Sequence, residues 1–335
     1  MTTTTVTSSG GLPNALRNTW GLIKKIPPVY PVFLVIFIVL GFLNPVKYQS
    51  LNGIMTFLRT ASPLAVLAVG EMFVLAIGGF DLTVGAIVTF VVLVSSKLLA
   101  NDPANALPAI MIMLGCGVFI GLANGLIVSY LKVPSFITTL GMMLLVRGSA
   151  LYYVGGAPQG YLTENWRAFG RNYIENVPLF SRVPYGLIVL IVIGIISYIL
   201  FNRTNFGKQL LASGDNVRAS QLSGVRVRLV RVITFILCSV FAIIGGIMIG
   251  GYGGVNVTIG EGLEMQAIAA CVVGGVLLGG GKGSVPNVIF GAFTLQAIVN
   301  LLNMLGLPKP YTDVVQGLII IGAVAYVGLT SQKKR

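Results

Sequence analysis

Glu71 and Asp81 are the acids best placed to do chemistry in this sequence, because each lies in or beside a long apolar run, where a carboxylate is costly and normally faces a cavity, a cation or a proton path. Arg59 and Arg147 are available as ion-pair partners for Glu71, so a functional acid and a structural pair are both open readings. Asp81 belongs to GGFDLTVG at 78–85, where two glycines permit a sharp reversal and the acid can cap the next helix and complement its dipole. Direct ligand binding is the other reading, and an acid held at a moving turn would serve a gate. Glu261 and Glu264 flank the start of a later apolar run, while Gln266, Gln296, Asn300, Asn303, Asp313 and Gln316 place polar groups in the last runs. Neutral amides suit a hydroxyl-rich solute, and they suit helix-to-helix hydrogen bonds equally well.

Several kinds of chemistry are excluded. The chain has no histidine, which removes His-based triads, His metal sites and imidazole acid–base work. Cys116, Cys238 and Cys271 lie in apolar runs without metal-ligand spacing and read as small buried residues. GGGKGS at 279–284 is not a phosphate loop, because Lys282 is followed by Gly283 rather than Ser or Thr and no strand precedes it. Any ATP must therefore be hydrolysed by another chain, with no metal, ATP or other cofactor held by this one. It is read as a non-enzyme.

The elements that position these residues are membrane helices. Apolar residues make up 55% of the chain and charged residues 9%, with a mean hydropathy of +0.91, too little polar surface for a soluble globule. Counting runs of about 20 residues predicts roughly ten spans, at 29–43, 51–77, 81–100, 107–130, 134–155, 184–202, 229–251, 263–280, 285–305 and 311–329. The formal charge of +13 comes from short clusters beside apolar runs, which fits the positive-inside rule better than nucleic-acid binding. An even number of spans puts both termini in the cytoplasm, with Lys24 and Lys25 at one end and Lys333, Lys334 and Arg335 at the other. The layout is a tail at 1–28 without a cleavable signal, a membrane domain at 29–329 and a basic tail at 330–335. A loop at 156–183 lies outside, where Tyr152, Tyr153, Tyr161, Trp166 and Tyr173 suit the interface. Glycines such as Gly115, Gly117, Gly121 and Gly125 recur at helical spacing and read as close-packing faces.

Residues 203–231, RTNFGKQLLASGDNVRASQLSGVRVRLVR, form the one long basic segment between apolar runs. Asp215 or Asn216 can start a short helix there and Gly224 can end it, leaving about two turns. Ala219, Ser220 and Ser223 keep that helix slim, and Val217 and Leu222 offer apolar contacts. A surface for a partner's groove and a plain basic anchor are equally good physical readings.

With GGFDLTVG at 78–85, three further stretches carry a resemblance: GLANGLIVSYLKVPSFITTLGMMLLVRG at 121–148, GDNVRASQLSGVRV at 214–227 and GEGLEMQAIAACVVGGVLLGGGKGSVPNVIFGA at 260–292. The chain resembles the permease subunits of bacterial ABC importers of the ribose/xylose/galactose type, in the superfamily that also holds branched-chain amino-acid permeases. The resemblance implies an all-α, polytopic bundle of the ABC importer permease fold in the bacterial inner membrane. It implies a coupling loop at 203–228 in which Gly214, Asp215, Asn216, Ala219, Leu222, Ser223 and Gly224 dock an ATP-binding subunit. It further implies a second permease copy or close relative, and a periplasmic solute-binding protein. Glu71, Asp81, Glu264, Gln296 and Asn300 are the candidates for the translocation path or gate. Phe80, Asp81, Leu82 and Thr83 stand where the family usually has Ile-Asp-Leu-Ser, and Glu71 where Met or Gln is common. The expected cargo is a monosaccharide. The alternatives are a branched-chain amino acid, nucleoside, polyol or sugar-like signal, or a secondary transporter using Glu71 or Asp81 for protons.

Overall fold

The computed structural model describes residues 27–178 and 180–332, so the clusters at Lys24, Lys25 and Lys333–Arg335 lie outside the described residues. Among the described residues the regular structure is helical apart from one hairpin. Its helices are α1 (Val29–Leu43), α2 (Pro45–Tyr48), α3 (Leu51–Ala76), α4 (Thr83–Leu98), α5 (Ala106–Tyr130), α6 (Ser135–Tyr153), α7 (Glu164–Arg171), α8 (Tyr185–Arg203), α9 (Asn205–Asp215), α10 (Val217–Leu222), α11 (Val227–Gly253), α12 (Leu263–Val273), α13 (Val285–Met304) and α14 (Lys309–Gln332). Among the described residues six helices are long and apolar enough to cross a membrane: α3, the Pro103–Tyr130 helix containing α5, α6, α8, α11 and α13. Each expected run does hold a helix, but the run at 263–280 is corrected. Its helix α12 stops after 11 residues, a rise of about 17 Å against roughly 30 Å of hydrocarbon. Gly275, Gly280 and Gly281, all at positive φ, break the remainder into a loop.

Helix α3 is the axis of the fold, with every residue from Ala61 to Ala76 buried. One apolar cluster packs α8 and α13 against it, and a second joins α4, α5 and α11. The glycine face of α5 does what its spacing suggests. An added Cβ at Gly121 would lie 2.6 Å from the Ile236 backbone of α11, and one at Gly125 would lie 2.7 Å from Val232. Gly115 faces open space instead. Helices α6 and α8 turn Phe136, Leu144, Leu145, Ile191 and Ile195 outward, the apolar exterior that a hydrocarbon solvent demands.

The connection expected outside, 156–183, holds α7 and part of a hairpin in which β1 (Tyr173–Val177) pairs antiparallel with β2 (Ser181–Pro184). Trp166 corrects the interface reading, since it is fully buried and its ring fills the space over Gly250 of α11. Tyr152 and Tyr161 are exposed as expected.

Candidate functional site

The GGFDLTVG turn folds back on α3 because Gly78, at φ 79°, allows its amide and that of Gly79 to donate to the Leu75 and Val74 carbonyls at 2.9 Å. This reversal brings the two acids together. The Asp81 amide donates to Glu71 Oε1 at 3.2 Å, and both side chains are completely buried. Asp81 Oδ1 accepts the Thr83 amide at 2.9 Å and the Thr83 hydroxyl. The acid thus holds the first residue of α4 from one position before the helix cap, where Leu82 stands. Asn124 of α5 reaches the Thr83 hydroxyl at 3.5 Å. Asp81 Oδ2 and Asn124 Oδ1 have no hydrogen-bond partner among the described residues.

The ion-pair partners read for Glu71 are elsewhere. Arg59 donates to the Arg171 carbonyl and stacks on Tyr173, while Arg147 pairs with Glu261 at the half-exposed start of the α12 segment. Cys238 of α11 faces Glu71 instead, its thiol donating to Oε2 at 3.6 Å. Only the burial of Cys238 is evident from sequence. Its partner is not, because 167 residues separate the two. Cys271 is likewise buried and donates to the Ala68 carbonyl, whereas Cys116 is only half-buried. Ser135, the first residue of α6, accepts the Phe80 amide at 3.1 Å, so the acid turn is tied to α3, α4, α5, α6 and α11 at once.

The other path candidates lie apart from this pair. The Glu264 carboxylate packs on the α-carbon of Gly85, a contact that only glycine permits. Gln296 donates to Asn300 at 3.2 Å, and both line a cavity of about 220 Å³ with Thr56, Thr60 and Tyr252. That cavity lies toward the far end of α11 from the 203–231 loop.

In that loop, α10 is capped by Asn216, whose Oδ1 accepts the Ala219 amide at 2.9 Å. Gly224, at φ 81°, ends it after six helical residues, a length of about 9 Å. Asp215 is the last residue of the preceding helix α9 rather than the cap. Leu222 is 77% exposed, and Asp215, Asn216, Ala219, Ser223 and Gly224 are exposed with it. Gly214 faces inward instead, where a side chain would strike the Ala76 carbonyl and the Gly281 amide. The glycine loop that resembles a phosphate loop therefore packs beneath the end of α9, with Gly280 against Gly214 and Gly78 and Gly281 against Asp215.

A family model described as branched-chain amino acid transport system / permease component matches residues 53–324. The chain belongs to this family. It is 33% identical over 293 residues to the ribose import permease protein RbsC of Escherichia coli (strain K12), covering 87% of this chain and 90% of the relative. It is 34% identical over 324 residues to the galactose/methyl galactoside import permease protein MglC of the same strain, covering 92% and 95%. It is 32% identical over 306 residues to the autoinducer 2 import system permease protein LsrC of Yersinia pseudotuberculosis serotype O:3 (strain YPIII), covering 88% and 82%. No solved structure matches it. The chain is thus a multi-pass helical membrane permease component.

Proposed function

We propose that this permease is the membrane-spanning subunit of an ATP-driven importer that carries a monosaccharide inward from a periplasmic binding protein. The observation that carries the reading is α10: a capped helix of about two turns with Leu222 and Val217 exposed, directly following α9, whose Gly214 packs on the end of α3. A pore alone has no use for such a helix, whereas an external engine needs one to push. The names of the relatives support a sugar or a sugar-like signal as cargo.

In this reading the chain passes through the bacterial inner membrane about ten times, α12 and the glycine loop after it together making one pass, with both termini and α10 in the cytoplasm. It works with a second copy or close relative. ATP and Mg²⁺ are bound and turned over on the separate ATP-binding subunit, and the permease does no covalent chemistry. Asp215, Asn216, Ala219, Leu222, Ser223 and Gly224 meet that subunit, and Gly214 transmits its push to Ala76 and the acid turn. Glu71 and Asp81 then act at the gate, while Glu264, Gln296 and Asn300 contribute to the path.

The test is uptake of labelled ribose and galactose by cells carrying or lacking the chain, with affinity purification of the tagged protein. A co-purifying ATP-binding subunit that is lost on Leu222→Asp, together with sugar uptake that stops on ATP depletion, is the expected result. Uptake that persists without ATP and follows a proton gradient would overturn the reading.

A further inference from the structure

Between the acid turn and the loop helix lies a cavity of about 500 Å³ that neither the path candidates nor the docking surface accounts for. It is walled by Gly78 and Gly79, the 130–135 connection, Val217 and Gln221 of α10, and the start of α11. Lys132, Arg228 and Arg231 all line it, and no carboxylate of the described residues does. None of the three is in a salt bridge among the described residues, where Arg147 with Glu261 is the only such pair. Arg228 rests on the Tyr130 ring at 5.4 Å, and Arg231 is half-buried. The positive-inside rule accounts for cations on this side of the protein, but not for their convergence on one cavity.

A second feature points to an occupant. Helix α6 begins at the same wall with no acid in its first turn and no side-chain cap, so its N-terminal amides and dipole favour an anion there. We infer that this cavity binds a phosphate group, with Arg228 and Arg231 as charge-assisted donors, Lys132 as a point charge, and the α6 amides completing the shell. The volume falls within the roughly 300–1,000 Å³ typical of small-molecule sites, so the phosphate is carried on an organic body. Either a soluble phosphate monoester or an anionic lipid headgroup has this chemistry. Because the walls include both the acid turn and α10, an occupant bridges the docking helix and the gate. That regulatory consequence rests on the importer reading, but the binding does not.

The test measures binding without transport. The full chain is placed in nanodiscs of neutral phosphatidylcholine, and acylation of Lys132 by an acetyl ester is followed by peptide mass spectrometry. Exposed Lys208, outside the cavity, is the internal control. The probes are glucose 6-phosphate in solution and, separately, nanodiscs containing phosphatidylglycerol. The expected result is that one probe slows Lys132 labelling by about fivefold and leaves Lys208 unchanged. Arg231→Gln should abolish the protection, and Arg231→Lys should retain part of it. Arg228→Gln changes an exposed side chain of the lining, and should weaken the protection while keeping the fold. Protection by the soluble ester assigns a free metabolite, and protection by the lipid alone assigns a headgroup. Protection by neither probe, protection that survives in Arg231→Gln with Arg228→Gln, or protection seen only when an ATP-binding partner is added would each overturn the inference.

Discussion

The Gly281 amide donates to the Ala76 carbonyl at 2.8 Å, and Gly214 lies against both groups. The glycine loop after α12, the last turn of α3 and the last turn of α9 therefore share one backbone junction. Two residues beyond Ala76 the chain enters the acid turn, so main chain runs directly from this junction to the buried carboxylates. Replacing Gly214 by Val puts three carbons where the structure has none to spare, a strain of about 1–3 kcal/mol. The expected outcome is membrane content close to wild type with sugar uptake largely lost while ATP hydrolysis continues. Normal uptake in Gly214→Val would show that this junction transmits nothing.

Asn216→Ala separates the cap from the packing. The Asn216 side chain holds the Ala219 amide, and losing an N-cap costs about 1 kcal/mol. Amides of 217–222 should exchange with deuterium about fivefold faster, while those of α3 are unchanged. Asn216→Asp keeps the acceptor and should restore the wild-type rate. Uniform acceleration in both variants would mean the helix is held by tertiary contacts alone.

Helix α10 and the acid turn are legible in the sequence because their signals are local: a capping residue followed by a stop glycine, and two glycines before an acid. The span at 263–280 misleads because hydropathy cannot tell a crossing helix from a half-helix followed by an apolar glycine loop. Gly280 and Gly281 read as a turn, but their packing on Gly214 and Gly78 is a long-range contact with no local trace. The same limit hides Cys238 as the partner of Glu71. Trp166 reads as an interface residue because its ring suits that level, yet the bare surface at Gly250 gives it a buried seat. The phosphate cavity draws its cations from Lys132 and from Arg228 and Arg231, which only folding brings to one wall.

Glu71 tests what holds the acid turn. The Asp81 amide, sealed from water, has the Glu71 carboxylate as its acceptor. Glu71→Gln keeps an oxygen at that position and should fold with little loss of thermal stability in detergent. Glu71→Ala strands a buried donor and opens a cavity, together costing about 2–5 kcal/mol. Equal melting temperatures for the two variants would show that the hydrogen bond contributes nothing to the turn.

Gln296 and Asn300 offer the sharpest separation of path from packing. Their amides bond each other at 3.2 Å and face a cavity with Thr56, Thr60 and Tyr252, a lining of donors and acceptors suited to hydroxyl groups. If the solute passes here, Gln296→Leu removes a contact that a sugar hydroxyl makes and a deoxy analogue cannot. Uptake of the sugar should fall by about tenfold, the effect of one buried hydrogen bond worth roughly 1–2 kcal/mol, while uptake of the analogue lacking that hydroxyl falls much less. Selectivity between the two is the readout, because a merely structural role would slow both equally. Equal loss for both solutes, with a lowered melting temperature, would assign the two amides to helix packing and move the path elsewhere.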